Sequence, residues 1–251
     1  SVITHKEKPL TPNKEAIKRL AHEISQANVS SLVIVHGGGS FGHPIAKAYR
    51  VNEGFKNSSQ VMGFSKTHQA MTRLNKIVID ALIRHNIPAV DMQPSSFIIT
   101  KSARIKTMDN KVVEKLLKTG FVPVLYGDAV LDSEKGFTIL SGDQLVSSLA
   151  TQLAAECIIV GVDVDGLYTS DPKKDKTAKL IRHITLQELK KMQDRIRGAT
   201  VTDVTGGMFG KISELIPAVG AGINVLIVNA LKPDNVYKAL KGQIAVGTLI
   251  E

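Results

Sequence analysis

Tryptophan is absent, cysteine occurs once, and aromatic residues make up only 4% of the 251-residue chain. A lone thiol cannot close an intramolecular disulfide, so a disulfide-stapled scaffold is excluded. That thiol, Cys157, stands in the apolar run Cys157-Ile158-Ile159-Val160, where a small buried hydrophobe is expected rather than a reactive group. No apolar run approaches the roughly 20 residues that a membrane span needs, and Ser1-Val2-Ile3-Thr4-His5-Lys6 lacks the apolar core of a secretory signal. These absences predict a cytoplasmic protein in a reducing compartment. With 43% hydrophobic and 22% charged residues, the chain has enough apolar material for a large core and is not a disordered or fibrous sequence.

Acidic residues are the minority sign: 32 Lys and Arg against 23 Asp and Glu leave a formal charge of +9. The excess lies in two segments, six basic against two acidic residues over 101–118 and nine against four over 171–197. Nucleic-acid binders interleave such clusters with stacking aromatics, which are scarce here. Two solvated surfaces, with a weak attraction for anionic ligands such as nucleotides, are the expectation.

Short apolar runs alternate with helical patterns. Strands are predicted at 31–35, 89–92, 122–125, 157–162 and 224–228, and helices at 13–27, 58–85, 110–119, 144–155, 186–192, 210–218 and 233–240. The runs are continuous rather than alternating, as in strands covered on both faces. Alternating strand and helix predicts an α/β fold with a mainly parallel sheet, whose ligands sit at the carboxyl ends of the strands. A hairpin is expected over 129–140, around a polar turn ending in Gly136. Without linkers or repeats the chain reads as one domain, 1–251, working as two lobes that meet near residue 140.

Val35-His36-Gly37-Gly38-Gly39-Ser40-Phe41-Gly42-His43 follows a strand and precedes a helical stretch. Consecutive glycines leave backbone N–H groups bare and let the chain approach a phosphate, and a following helix N-terminus favours negative charge. The alternative is a tight turn with no ligand, which needs fewer glycines. The same residues imitate an esterase, both as His-Gly-Gly-Gly and as G-x-S-x-G. One loop cannot serve as both elements, and the last histidine, His183, falls in a basic helical pattern rather than late in the chain, so the hydrolase reading fails. No Walker A loop and no G-x-G-x-x-G after a strand occur.

Ser141-Gly142-Asp143 opens a helix, where Asp143 is either a cap or a functional acid. Val162-Asp163-Val164-Asp165-Gly166-Leu167-Tyr168 ends a strand; it imitates a calcium loop but lacks the bidentate Glu, and Asp163 and Tyr168 are suited to a ribose or base. Asp203-Val204-Thr205-Gly206-Gly207 with Lys211 forms a second glycine-rich helix entry. Two phosphate cradles, a lysine beside one and no nucleophile–base pair point to phosphoryl transfer by positioning and electrostatic clamping.

These residues resemble the amino acid kinase superfamily, and within it the archaeal isopentenyl phosphate kinases. The resemblance runs the length of the chain through Ser1-Val2-Ile3-Thr4-x-Lys6, the glycine turn ending in His43, Gln93-Pro94-Ser95-Ser96, Tyr126-Gly127-Asp128, Ser141-Gly142-Asp143, the Asp163–Tyr168 segment and Asp203–Gly207. His43 is its specific part, since superfamily members acting on carboxylates lack it, whereas the related fosfomycin kinases share it.

The resemblance implies an open αβα sandwich, usually dimeric, with an acceptor lobe (1–140) and a nucleotide lobe (141–251), that moves the γ-phosphoryl of ATP to isopentenyl phosphate. It implies that Gly38, His43 and Gly142 hold the acceptor phosphate and that Gly39 touches ATP. Lys6, His43 and Asp143 would be catalytic, with Lys6 stabilising the transferring group and Asp143 orienting the lysines. Asp163, Tyr168, Gly207 and Lys211 would bind nucleotide, with Mg²⁺ carried on the ATP phosphates rather than by protein ligands. A homodimer with no nucleic-acid or membrane partner is implied. Family members place a strand ending Lys-x-Gly-Gly before the Ser-Val-Ile-Thr segment, so the native chain is expected to extend upstream of Ser1. A non-catalytic sensor on the same scaffold is the contrasting reading; retention of both Lys6 and Lys211 argues against it. In the helix after residue 58, Phe64, Thr67, His68, Met71, Leu74 and Val78 share a face, either plain core or a wall for a prenyl tail.

Overall fold

The structure is a computed structural model that describes residues 1–198, 208–243 and 246–251. The chain divides into two compact units, Ser1–Leu145 and Val146–Glu251.

The first unit opens with α1 (Lys14–Ala27), capped by Asn13, whose Oδ1 accepts from the Ala16 N–H at 3.2 Å. There follow β1 (Ile34–His36), α2 (Gly39–Ala48), the long α3 (Ser58–Arg84) and β2 (Ala89–Asp91). Next come β3 (Ile98–Lys101), β4 (Arg104–Met108), α4 (Lys111–Lys118), β5 (Val122–Tyr126), β6 (Asp128–Asp132) and β7 (Gly136–Leu140), and the first residues of α5 (Gly142–Gln152), as far as Leu145, end the unit. β1, β5 and β2 form a parallel sheet in that order, with Ile34 opposite Val124 and Ala89 opposite Val122. β5 is central and buried at every position, as its unbroken apolar run requires. Val78 and Leu82 of α3 and Ala21 of α1 close a core over Ala89, Val122 and Val124.

A second sheet runs β4-β3-β6-β7, with hairpins β3–β4 and β6–β7 joined by the parallel pair β3–β6. Asp132 straps both hairpins: its carboxylate accepts from the Thr100 hydroxyl (2.8 Å) and from the N–H groups of Ala103 (2.8 Å), Glu134 (2.9 Å) and Lys135 (2.8 Å). The β3–β4 turn has positive φ at Ser102 and Ala103, a geometry that usually selects Asn-Gly, and this strap holds it with ordinary residues.

The second unit contains β8 (Cys157–Val162), β9 (Leu167–Tyr168), β10 (Leu180–Ile181), β11 (His183–Ile184), α6 (Leu186–Gly198), α7 (Met208–Gly220), β12 (Asn224–Asn229), α8 (Asn235–Leu240) and β13 (Gly247–Ile250). Its sheet runs β11-β13-β12-β8, with β8 parallel to β12 in the register Ile158–Val225 and β13 antiparallel to β12. Ile158, Val225, Ile227, Leu189, Ile212 and Leu215 belong to one buried cluster. Five of the nine strand pairings among the described residues are parallel, and the antiparallel ones belong to the hairpins, the β9–β10 ribbon and β13.

Several expectations are corrected. The first strand begins at Ile34 rather than Ser31, because its ladder with β5 starts there. Cys157 is exposed: it opens β8 opposite the exposed Asn224, at the sheet's end rather than inside it. His183 lies on β11, paired with Leu249, and not on a helix; its Nε2 is 2.7 Å from Glu251. Helix α2, hairpin β3–β4 and strands β9 to β11 and β13 have no counterpart in the predicted elements.

Candidate active site

In the first unit the glycine turn becomes the start of a helix. Gly38 is the residue before α2, and the N–H groups of Phe41 and Gly42 bond to its carbonyl at 2.9 and 3.1 Å. Gly39 has φ +47, and a Cβ there would collide with Thr4 Oγ1. That hydroxyl accepts the Ser40 N–H at 3.1 Å, while the Leu10 N–H donates to the Ser40 carbonyl at 3.1 Å. The loop that carries the exposed Lys6 is thus pinned at both ends to Ser40. His43 is exposed one turn along α2.

A second helix N-terminus arrives at the same place. The Gly127 N–H donates to the His36 carbonyl at 3.0 Å, and a Cβ on Gly142 would stand 3.2 Å from that carbonyl oxygen. A Cβ on Gly127 would in turn stand 3.1 Å from the Gly142 nitrogen. Glycine is therefore what lets the start of α5 approach the end of β1. Ser141, not Asp143, caps α5, its Oγ accepting the Gln144 N–H at 3.1 Å. The capping role weighed for Asp143 is overturned, and Asp143 stands half-buried in the first helical turn. Two positive helix ends, Gly38–Gly39 and Gly142–Asp143, converge beside His36, which is an arrangement for binding phosphate oxygens.

Behind the turn lies a polar network that sequence reasoning missed. His36 stacks on Tyr126, with ring centroids 5.5 Å apart. The buried Asn75 amide bridges His36 Nε2 (3.1 Å) and Asp91 Oδ1 (2.6 Å), and His36 Nδ1 lies 3.1 Å from the Gly37 carbonyl. His68 Nδ1 meets both carboxylate oxygens of the buried Asp128 at 3.0 Å. Burial pushes the His36 imidazole below its usual range despite its bonds to Gly37 and Asn75, and burial pushes the Asp91 carboxyl up. The Asp128 hydrogen bond raises His68. The Tyr126 phenol is buried and shifted upward by that burial. Asp128 and Tyr126 belong to a motif visible in the sequence, and His68 stands on the α3 face that helical spacing marks as core or tail wall, though not as a partner of Asp128; Asn75 sits mid-helix with nothing local to mark it. Thr67, Met71, Leu74 and Val78 of the expected α3 face are buried, and Phe64 packs against Phe137 at 5.4 Å.

In the second unit, Asp163 bonds Lys173 Nζ at 3.2 Å, and Asp165 takes Lys232 and Asn229 (2.9 Å each). These partners hold Asp165 below the usual carboxylate range, Lys232 first. Tyr168 is half-buried on β9 opposite Leu180, and Lys211 is half-buried in the first turns of α7. Gly207 and the rest of Asp203–Gly206 lie outside the described residues. Among the described residues, no group of three or more His, Cys, Asp or Glu side chains is placed to hold a metal, and no helix is long and apolar enough to cross a membrane.

Comparison with known proteins agrees with this architecture. An isopentenyl phosphate kinase from Methanothermobacter thermautotrophicus is 43% identical, covering 100% of this chain and 96% of the relative. X-ray structures of isopentenyl phosphate kinase superpose with a TM-score of 0.88 at 40% identity, over 100% of this chain and 96% of the other. The Thermoplasma acidophilum isopentenyl phosphate kinase, solved as a product complex, gives 0.82 at 27% identity, over 100% and 96%. The model of the amino acid kinase family matches residues 1–229, and the chain belongs to that family.

Proposed function

We propose that the chain transfers the γ-phosphoryl group of ATP to isopentenyl phosphate, forming isopentenyl diphosphate. The observation that carries this reading is the meeting of two helix N-termini beside the glycine turn, with His43 exposed one turn along α2. A phosphate-bearing acceptor suits that geometry, and the full-length relatives are isopentenyl phosphate kinases.

In this reading Gly38, Gly142 and His43 hold the acceptor phosphate, backbone N–H groups and the imidazole donating to its oxygens. An acceptor oxygen attacks the γ-phosphorus, the bond to the β-phosphate oxygen breaks, and ADP leaves. Negative charge spreads over the transferring oxygens, and a cation aimed there acts mainly in the transition state. Lys6 supplies it, Gly39 approaches the same end of ATP, and Asp143 orients the lysines. Residues 1–140 form the acceptor lobe and 141–251 the nucleotide lobe, in which Asp163, Tyr168, Gly207 and Lys211 bind ATP. Mg²⁺ enters as part of the nucleotide substrate. The family resemblance adds a homodimer and a cytoplasmic location to the proposal.

The test is transfer from radiolabelled ATP to a panel of isopentenyl phosphate, dimethylallyl phosphate, fosfomycin, acetylglutamate and UMP. Isopentenyl phosphate is expected to give the highest kcat/KM; preference for the carboxylate acceptor would sink the reading. In the same assay Lys6→Ala is expected to lower kcat by roughly 10² with little change in acceptor KM. A loss confined to KM would assign Lys6 to ground-state binding.

A further inference from the structure

His36 is flanked by two oxygens. Its Nδ1 lies 3.1 Å from the Gly37 carbonyl and its Nε2 lies 3.1 Å from Asn75 Oδ1. A neutral imidazole has one N–H and can satisfy only one of them. The amide orientation is set from the other side: the Asn75 Nδ2 group donates to Asp91 Oδ1 at 2.6 Å, and an ionised carboxylate can only accept. With Asp91 ionised, Asn75 Oδ1 must face the ring, Nε2 must carry the proton, and bare Nδ1 is left against the Gly37 carbonyl. One added proton relieves this in either of two places. On the ring, it lets both nitrogens donate. On Asp91, it lets the carboxyl donate to Asn75 Oδ1, the amide turn over to donate to Nε2, and Nδ1–H bond the Gly37 carbonyl.

We propose that Asp91, Asn75 and His36 form a proton-counting relay, in which Asn75 sets the tautomer of His36 and thereby decides whether the Gly37 carbonyl of the glycine turn is held or released. Asn75 and His36 are positioning residues, acting on the acceptor phosphate only through the Gly37–Gly38 peptide. The end of the relay is open to solvent at Asp91, while Asn75 is fully buried and His36 nearly so. The other titratable neighbours are Tyr126, stacked on His36 from β5, and Asp128 with its partner His68, which act on Asp91 from β6 and α3. Burial disfavours the imidazolium, so the Asp91 route dominates.

The proposal rests on the kinase reading only for its effect on the acceptor, so the test pairs a structural readout with a kinetic one on the full chain. Two-bond ¹H–¹⁵N NMR of the His36 ring, with the Gly38 amide shift followed from about pH 4, near an ordinary aspartate, to about pH 7, above an ordinary imidazole, reports the tautomer directly. In the wild type the ring nitrogens and the Gly38 amide are expected to titrate together. Asp91→Asn removes the titrating proton, and because its amide can either accept from or donate to Asn75 it fixes no single tautomer; it is expected to flatten the joint response of the ring nitrogens and the Gly38 amide to pH. Asn75→Leu is expected to uncouple the two and to raise acceptor KM by about tenfold with ATP KM unchanged, an energy of ~1.4 kcal/mol. Identical tautomers and identical Gly38 titrations in wild type and Asp91→Asn would overturn the relay, whatever the acceptor. A protein that shows the NMR behaviour but turns over no prenyl phosphate would retain the relay and lose the substrate assignment.

Discussion

The glycines between Val35 and His43 are glycine for different reasons, and the differences separate packing from function. Gly39 adopts a left-handed φ of +47 and leaves no room for a Cβ beside Thr4. Gly38 and Gly42 back onto Met71, whose Sδ would stand 3.1 and 2.8 Å from a Cβ on each. Gly37 alone of the turn has nothing within 4 Å and no positive φ, so packing does not explain it. Gly39→Ala is therefore expected to lower stability by about 2 kcal/mol or more, since the left-handed conformation alone costs roughly 1–2. Gly37→Ala is expected to leave the melting temperature within a few degrees while raising acceptor KM. Thermal unfolding and steady-state kinetics on both variants check this, and a collapse of Gly37→Ala equal to that of Gly39→Ala would return Gly37 to a structural role. The run of glycines was legible as an anion cradle, but which glycine serves which purpose depends on Thr4 and Met71, distant in sequence. Cys157 shows the same limit: its apolar neighbours imply burial, and only its place as the first residue of β8 exposes it.

Among the elements, the long helices declared themselves, whereas α2, whose first turn is built from the glycine run itself, and the short strands did not. α1 and α3 carry Asn caps and apolar residues at helical spacing, and their ends lie within a residue of expectation. β9, β10 and β11 are two residues each, too short for any period to register. β4 is largely exposed, and its Arg104 and Lys106 obscure it as a strand while guarding an open sheet edge. The hairpin that β4 makes with β3 depends on Asp132, buried on β6, and on Gln144, whose side chain accepts the Ile105 N–H at 2.8 Å and donates to the Ala103 carbonyl at 3.1 Å. Burial by itself would raise the Asp132 carboxyl, but the bonds from Lys135, Ala103, Glu134 and Thr100 outweigh it and hold the group well below the usual carboxylate range. A depressed folded-state value means the strap contributes its full stability above the unfolded value of about 3.9 and loses it as pH falls from there toward the folded value. Asp132→Asn, which cannot replace both accepting oxygens, is expected to destabilise by roughly 2–3 kcal/mol at neutral pH and by progressively less below about pH 4. Urea unfolding of both proteins across that range measures it, and a pH-independent difference would show that charge plays no part in the strap.

At the scale of the whole molecule, composition and the alternation of elements made the α/β class legible, and sequence motifs made the kinase family legible, because both are written in local patterns. What joins distant residues was not: the convergence of α2 and α5 on His36 and the Asn75 network exist only once β1, β5 and α3 are packed. The proposed division of labour puts its acceptor-side residues, in the glycine turn, the Lys6 loop and the start of α5, within Ser1–Leu145, and its nucleotide-side residues Asp163, Tyr168 and Lys211 within Val146–Glu251. Each unit has its own buried clusters, so ligand binding should be read out locally by backbone hydrogen exchange. At about 100 times its dissociation constant a ligand stabilises the form that binds it by roughly 2.7 kcal/mol, enough to slow exchange through local opening about 100-fold. Isopentenyl phosphate alone is expected to protect peptides covering residues 37–43 and 142–145, and a non-hydrolysable ATP analogue with Mg²⁺ to protect 163–168 and the start of α7. Mass-spectrometric exchange with each ligand separately tests the assignment. Protection of 163–168 by isopentenyl phosphate, with none at the glycine turn, would reverse the two lobes and remove Gly38, Gly142 and His43 from the acceptor site.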